Sequence, residues 1–366
     1  EIGAGGGSIA RVDKLKRIQV GPESAGSEPG PAAYGRGGRE PAVTDADVLL
    51  GRVVASTFAG GAFELDETAA RQAVEVRVGL PLSLDSGVAA FGISEVVDEN
   101  MAAAARAHAA EFGMDLGSRD MVALGGAAPL HAARLGEKLG VRRIIIPTEA
   151  GVGSAVGFLL APVAYEVVRS RRQSLSALDT NVVNGLMEDM TTEAEAVVSM
   201  GAPGARLVET RHAYMRYVGQ GHEIVVTLPP GPYEPQHAER FRAAFEQAYA
   251  QLYGRIIEGI DIEVLSWTLT LAAPGRHSLP ENPGEAADEK QNPTPESVEP
   301  VSRQQLFDSA AETSFEAPVY LRADLPPGTV LHGPALLTEQ QTTTVVPASW
   351  IARIESHGHI VLEPGE

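Results

Sequence analysis

The spacing of apolar residues changes period several times along the chain, and each change marks an element. The clearest case is residues 121–147, MVALGGAAPLHAARLGEKLGVRRIIIP. Met121 to Leu124 reads as a short apolar strand running into the tight Gly125-Gly126 turn. Leu130, Ala133, Arg134 and Glu137 then fall at helical spacing, which predicts a helix from about Pro129 to Leu139. Proline is tolerated in the first turn because the N–H groups there lack intrahelical partners. Gly140 can take the left-handed conformation that ends a helix, and Val141 to Ile146 reads as a second strand. Strand, turn, helix and strand make a βαβ unit, which predicts a parallel sheet.

Upstream, Asp66 to Leu80 predicts an amphipathic helix capped by Asp66. The longest helix runs from about Ser86 to Phe112, with Ile93, Val97, Met101, Ala104, His108 and Phe112 along one face. His108 there reads as a partly buried histidine rather than a ligand. Downstream, a second Gly-rich turn at Gly151 to Ser154 opens a short helix, Ala155 to Leu160, stopped by Pro162. Asn181 to Met200 is helical. Glu209 to Leu228 reads as two strands around Gly219-Gln220-Gly221. Gln236 to Tyr253 is an amphipathic helix expected to turn Phe241, Phe245, Tyr249 and Leu252 inward. Ile260 to Leu271 alternates as a strand, and Phe315 to Leu362 contains only strands and turns. Residues 274–303, rich in Pro, Glu, Asn and Ser, have little to bury and read as a linker or surface loop. The expected organisation is an α/β segment over 1–170, an α+β region over 171–273, a linker over 274–305 and an all-β domain over 306–366.

Composition narrows the class. The chain has 366 residues, 44 % hydrophobic and 21 % charged, an ordinary globular balance with room for about two domains. Its formal charge of −19 argues against nucleic acid, where Lys and Arg drive binding, and against an anionic membrane surface. A nucleotide is not excluded, because backbone N–H groups and a metal ion can hold one. Cysteine is absent, so disulfides, thiolate metal sites and cysteine nucleophiles are excluded; a cytoplasmic location is expected. The apolar runs fall far short of the ~20 residues of a membrane span. The chain starts without Met on a Gly-rich loop, as a fragment or a processed product would.

Several stretches carry candidate chemistry. Gly5, Gly6 and Gly7 followed by Ser8 form either a frayed end or an anion-binding nest of successive N–H groups. Gly21 to Gly38, dominated by Gly, Pro and small residues, is an ordered loop or a linker. Thr44 and Asp45 precede an apolar run; either can cap a helix, or Asp45 acts as a general base or holds Mg²⁺. Gly125-Gly126 before a helix is either a plain structural turn or a nucleotide site, where missing Cβ atoms and free N–H groups admit a phosphate. Gly151, Gly153 and Ser154 sit at the next strand end, as expected at a ligand crevice of an α/β sheet. His131 lies just inside the helix after the first glycine turn. His357-Gly358-His359 has no third ligand at fixed spacing, so no metal site is assigned.

These stretches together resemble one family, the hydantoinase A/5-oxoprolinase family, which includes acetone-carboxylase-type β subunits. The similar segments are IGAGGGSIA (Ile2 to Ala10), VGPESAGSEPGPAAYGRGG (Val20 to Gly38), PAVTDADVLLGR (Pro41 to Arg52), LGGAAPLHA (Leu124 to Ala132), IIIPTEAGVGSAVGFLLAPVA (Ile144 to Ala164), RYVGQGHEI (Arg216 to Ile224) and HGPALLTEQQTTTVVP (His332 to Pro347). They occur in the family's order over nearly the whole chain.

The resemblance implies an actin-like ATPase fold of two RNase-H-like halves enclosing ATP and Mg²⁺, of which this chain is the second half. It implies ATP-dependent opening of a cyclic amide or imide, with phosphorylation of the amide oxygen and a hydantoinase B-type partner subunit. In the carboxylase branch the same phosphorylation activates a ketone and bicarbonate; a non-catalytic structural fragment is the third reading. The family's two phosphate loops, the second of Asp-x-Gly-Gly-Thr-x-x-Asp type, are not in this sequence, so the N-terminal phosphate-binding half is an expected partner, in the same chain or another. Ala33 stands before Tyr34 where the family usually has Cys, so no thiol chemistry transfers. Gly125 and Gly126 match the adenosine-side glycines. Gly5 to Ser8 and Thr44-Asp45 match cleft loops, with Asp45 and then His131 as candidates for the polar chemistry.

Overall fold

The computed structural model describes residues 2–273 and 298–365. In chain order the strands are β1 (Ser8–Val12), β2 (Ile18–Ser24), β3 (Met121–Val122), β4 (Ile144–Ile146), β5 (Ala164–Ser174), β6 (Val208–Tyr217), β7 (Ile224–Leu228), β8 (Ile262–Ala272), β9 (Ser302–Asp308), β10 (Thr313–Leu321), β11 (Val330–His332), β12 (Ala335–Thr338), β13 (Thr343–Val346), β14 (Trp350–Ile354) and β15 (Ile360–Pro364). The helices are α1 (Val43–Leu49), α2 (Glu67–Val74), α3 (Leu80–Leu82), α4 (Ser86–Glu111), α5 (Ala128–Leu139), α6 (Gly153–Leu160), α7 (Thr180–Gly201) and α8 (His237–Tyr253). The chain divides into two units, one of residues 1–157 with 287–366 and one of residues 158–286.

The first unit contains the expected βαβ step. β3 and β4 pair in parallel, with Met121 opposite Ile144. Pro129 lies in the first turn of α5, and Gly140 caps its end with φ 71°. The expected parallel sheet does not follow. The sheet has order β11-β14-β15-β4-β3, and β15 lies antiparallel to β4 with Leu362 opposite Ile144. β3 and β4, with two and three residues, are too short to form a sheet alone, and strands from the end of the chain complete it. The segment 306–366, set apart in the sequence reading, therefore shares a core with the βαβ step: Trp350, Ile354, Ile360 and Leu362 pack with Ala132, Ile144 and Ile146. A mixed sheet, β13-β12-β10-β9, has its own core, where Leu306 and Ala317 meet Val48 and Leu130.

Asp66 caps α2 by accepting the Ala69 N–H, and Asp85 caps α4 by accepting from Gly87 and Val88. The helix after Asp66 is less regular than its pattern predicts, passing through a π turn at Glu75–Gly79 before α3. The stripe on α4 is buried only in its first half. Ile93 and Val97 are in the core, but Phe112 is exposed, and His108 is exposed beside Glu111 instead of partly buried. The Gly/Pro run from Gly21 to Gly38 is ordered, beginning within β2 and held further on by a buried carboxylate.

The second unit is α+β, as the pattern predicts. Its antiparallel sheet has order β5-β8-β6-β7. Trp267, Tyr217, Met187, Met190, Phe241 and Phe245, drawn from sheet and helices, form one core. The linker expected over 274–305 lies largely outside the described residues. No single helix among the described residues is long and apolar enough to cross a membrane.

Candidate functional site

A cavity of about 210 Å³ opens in the first unit. Gly6 and Gly7 form one side, and Gly126 with Ala127, at the start of α5, forms the next. Tyr34 and Phe58 supply an aromatic face, and Thr338 to Thr343 close the opposite wall. Side chains on these glycines would crowd neighbouring hydroxyls. A Cβ on Gly6 would lie 2.7 Å from Thr44 Oγ1, and one on Gly7 would lie 2.7 Å from Ser24 Oγ. Gly125 has φ +111°, a conformation that glycine adopts without strain. Thr44 Oγ1 donates to the Gly6 carbonyl (2.9 Å), and Thr342 Oγ1 donates to the Gly126 carbonyl (2.8 Å). Both carbonyls thus have partners within the chain, and no side chain caps the N-terminus of α5. The result is a concave surface with glycine backbone on one side and an aromatic face on the other, which suits a ligand with a flat ring.

Of the expected residues, Gly6, Gly7, Gly126 and Thr44 line this cavity, and the others do not. Gly5 belongs to the loop but not to the lining, and its N–H donates to Ser8 Oγ (3.0 Å). Ser8 is buried as an internal brace of the loop. Gly125 makes the turn, donating its N–H to the Ala150 carbonyl (2.8 Å). Gly151 packs against Gln341 behind the wall, where a Cβ would come within 2.5 Å of the Gln341 Cβ. Ser154 is exposed on α6.

Asp45 is fully buried, and its carboxylate accepts three backbone N–H groups, from Ala42 (2.7 Å), Ala33 (2.6 Å) and Ala32 (3.1 Å). Burial pushes this carboxyl above its usual range, against the pull of the three N–H groups. It sits in the third position of α1 and reaches back to the cap residue, as a helix-start carboxylate does, while pinning the Gly/Pro loop. With its oxygens so engaged, the structure gives it the role of a brace rather than of a base or a Mg²⁺ ligand.

His131 is also buried, between two carboxylates. Its Nδ1 is 2.8 Å from Asp98 and its Nε2 is 3.2 Å from Asp47. Arg52 joins the cluster, donating to Asp47 (3.1 Å), Ser94 (2.7 Å) and Ser309 (2.9 Å). Burial opposes a charged imidazole, but Asp47 and Asp98 outweigh it and push its pKa up to about 10. Burial likewise opposes ionisation of Asp47, yet His131 and Arg52 hold it below its usual range. His131 and Arg52 thus sit against Asp47 and Asp98. His131 therefore has no lone pair free for base chemistry, and its positive charge stabilises the cavity floor, to which Asp47 contributes. Asp47 and Arg52 fall in the PAVTDADVLLGR segment, but they, Ser94 and Asp98 were not among the expected site residues. Their only signal was an i, i+4 pair, Ser94 and Asp98, on the buried side of α4.

The cavity lining offers Mg²⁺ no free carboxylate. Among the described residues no group of three His, Asp or Glu side chains could hold a metal. The two acidic residues in the cavity lining are already paired, Asp47 with Arg52 and Glu339 with Arg322. His359 Nδ1 accepts the Thr148 N–H.

Residues 1–167 match the family model described as Hydantoinase/oxoprolinase, and residues 181–363 match the Hydantoinase/oxoprolinase C-terminal domain. The chain is similar to the caprolactamase subunit alpha of Pseudomonas jessenii, with 29 % identity over the whole chain and 52 % of that protein. It also resembles the crystal structure of the ATP-dependent caprolactamase from the same organism, with TM-score 0.75 and 28 % identity over 99 % of this chain and 52 % of that one. A nucleotide-free acetone carboxylase structure superposes with TM-score 0.79 at 23 % identity, covering 99 % and 52 %, a likeness of fold alone. The chain spans about half the length of these relatives.

Proposed function

This chain belongs to the hydantoinase/oxoprolinase family, and from that premise we propose that it forms one wall of the active cleft of an ATP-dependent enzyme that opens cyclic amides or imides. The observation that carries this reading is the cavity where the Gly6-Gly7 loop and the uncapped start of α5 meet the Tyr34 and Phe58 rings. Its volume of about 210 Å³ is below the ~300–1,000 Å³ of pockets that enclose whole ligands. It suits the base and ribose, with the rest of the nucleotide reaching outward. Among the described residues no Lys or Arg lines it, so the triphosphate charge requires groups from elsewhere. An N-terminal phosphate-binding half, in the same chain or another, is the source that matches a chain of half the family length. Mg²⁺ would be held there. In this reading the chain is the second half of an actin-like ATPase, works with a hydantoinase B-type subunit and is cytoplasmic.

ATP, when bound, supplies the phosphoryl group that makes an amide carbon a better electrophile for water. This chain's residues bind and orient. The N–H groups of Gly6, Gly7 and Ala127 donate to ligand oxygens, and Tyr34 and Phe58 flank a ring. The ion cluster around His131 fixes α5 in place. The amide reading is favoured over the ketone carboxylase by the higher identity to the caprolactamase subunit. The test is ATP titration of the full-length protein and of Gly126→Val, whose Cβ would press to 3.3 Å from the Gln341 carbonyl. The variant should bind about tenfold or more weakly, a loss of ~1.4 kcal/mol; equal affinity refutes the reading.

A further inference from the structure

Residues 55–65 form a surface loop closed at its neck, where the Leu65 N–H donates to the Ala55 carbonyl (3.2 Å). Compact loops with their ends together, packed by their own side chains, frequently carry function. Within 56–64 only Phe58 and Phe63 are half-buried, and the other residues are exposed. Among the described residues, the hydrogen bonds of 56–64 stay between Val54 and Leu65. What joins the loop to the rest of the unit is aromatic. Phe58 and Phe63 meet edge-on with 5.3 Å between centroids, and they lie 5.9 and 5.4 Å from the Tyr34 ring. The Arg36 guanidinium stands 5.0 Å from the centre of Phe63. At the crown, Ala59, Gly60 and Gly61 take φ of +52°, +68° and +79° in succession. Glycine adopts such values freely and alanine rarely.

We propose that residues 55–65 are a lid that opens to admit the nucleotide and closes on it, with Phe58 as the closing ring. Thr57, Phe58 and Ala59 line the glycine-lined cavity, so the loop is part of its wall. Swinging Phe58 out opens that wall. An exposed segment with no hydrogen bond beyond its own neck opens at low free-energy cost, and ring contacts are individually weak. The two glycines at the crown can absorb the change in backbone angles. A flat ligand ring in the cavity meets Phe58 only when the loop is closed, so a bound nucleotide shifts the loop toward the closed position. Phe63 lies outside the cavity lining and acts as the latch, through its contacts with Phe58 and Tyr34. This inference rests on the nucleotide reading of the cavity.

Two measurements on the full-length protein test the lid. Hydrogen exchange at the amides of 56–64 should slow about tenfold when ATP is added, because the closed loop opens less often. Exchange over Phe241 to Tyr249 in α8 should not change. Stopped-flow binding of a fluorescent ATP analogue then compares the wild type with Phe63→Ala, which loosens the latch without touching the cavity lining. Both the association and the dissociation rate should rise severalfold, since each passes through the open loop. A fixed wall would leave association as in the wild type. Exchange at 56–64 that ATP leaves unchanged, or an unchanged association rate in Phe63→Ala, would overturn the lid and leave the nucleotide reading standing. Failure of the wild-type protein to bind ATP would overturn both.

Discussion

The two units bury different chemistry. The core of the second unit is aromatic and sulfur-rich, with Trp267, Tyr217, Phe241, Phe245, Met187, Met190 and Met215 among its most buried side chains. Its buried carboxylate, Glu263, reaches Arg172 and Arg216 toward the surface. The first unit packs small residues, Ala42, Ala46, Ala89, Ala90, Ala132 and Ala133, around a fully buried cluster of ions. Small side chains let α1, α4 and α5 approach closely. Close helices let Asp47, Asp98, His131 and Arg52 satisfy one another, which a looser core could not arrange. An apolar core of equal volume is often no less stable than a buried ion pair. The ions therefore mark the unit in which position matters, beneath the cavity.

The sharpest break in this contrast is to remove one ion. Asp98→Ala leaves His131 and Arg52 with one carboxylate between them in a dry site. Loss of one partner of a buried pair costs about 3–5 kcal/mol. Chemical denaturation should show a loss of this size, with weaker ATP binding in whatever remains folded. A loss below ~1 kcal/mol would mean that the cluster is hydrated and carries little.

The pH dependence is the next largest effect. His131 titrates near 10 in the fold and near 6.5 when unfolded. Because the folded value is raised, the protonated form's contribution is complete below pH ~6.5 and is lost as pH rises toward ~10. The unfolding free energy should therefore fall between pH 6.5 and 9, by a few kcal/mol at one pKa unit per ~1.4 kcal/mol. His131→Gln should flatten that slope. A flat wild-type profile would show that the imidazole is not held as a cation.

The third prediction tests the other side of the contrast. Phe245→Leu in the second unit removes ring contacts with Tyr217, at 4.9 Å between centroids, and with Tyr249, at 5.5 Å. A large-to-small exchange in a buried site leaves a small cavity and should cost ~1–2 kcal/mol. The slope between pH 6.5 and 9 should stay as in the wild type, since no ion is touched.

Local patterns were legible because neighbours in sequence settle them. The caps at Asp66 and Asp85, the βαβ step with Pro129 and Gly140, and the strands around Gly219 all depend on residues a few positions apart. The glycines at 6, 7 and 126 were legible as close-approach positions for the same reason. The sheet was not, because β15 joins β4 across more than half the chain. Nor was the ion cluster, whose members come from α1, the turn after it, α4 and α5. Asp45 shows how a type-based reading goes astray. An acidic residue at a helix start suits a base, a metal ligand or a brace equally well, and only the N–H groups of Ala32 and Ala33, distant in sequence, decide for the brace.

The smallest expected effect concerns a face read only partly correctly. Periodicity placed Phe241, Phe245, Tyr249 and Leu252 together on the inner side of α8. The first three are buried, but Leu252 is 56 % exposed. At 3.6 residues per turn, Leu252 stands seven positions after Phe245, close to its angle, so helical phase does not explain the difference. Its place in the last turn does, because the helix ends at Tyr253 and Gly254 turns the chain with φ 73°. The core under α8 has stopped one turn earlier. Leu252→Ala should therefore change stability by no more than ~0.5 kcal/mol, the lost contact being offset in part by alanine's higher helix propensity. A loss of ~2 kcal/mol or more, the size seen when a buried leucine is truncated, would show that the apolar core extends to the end of the helix.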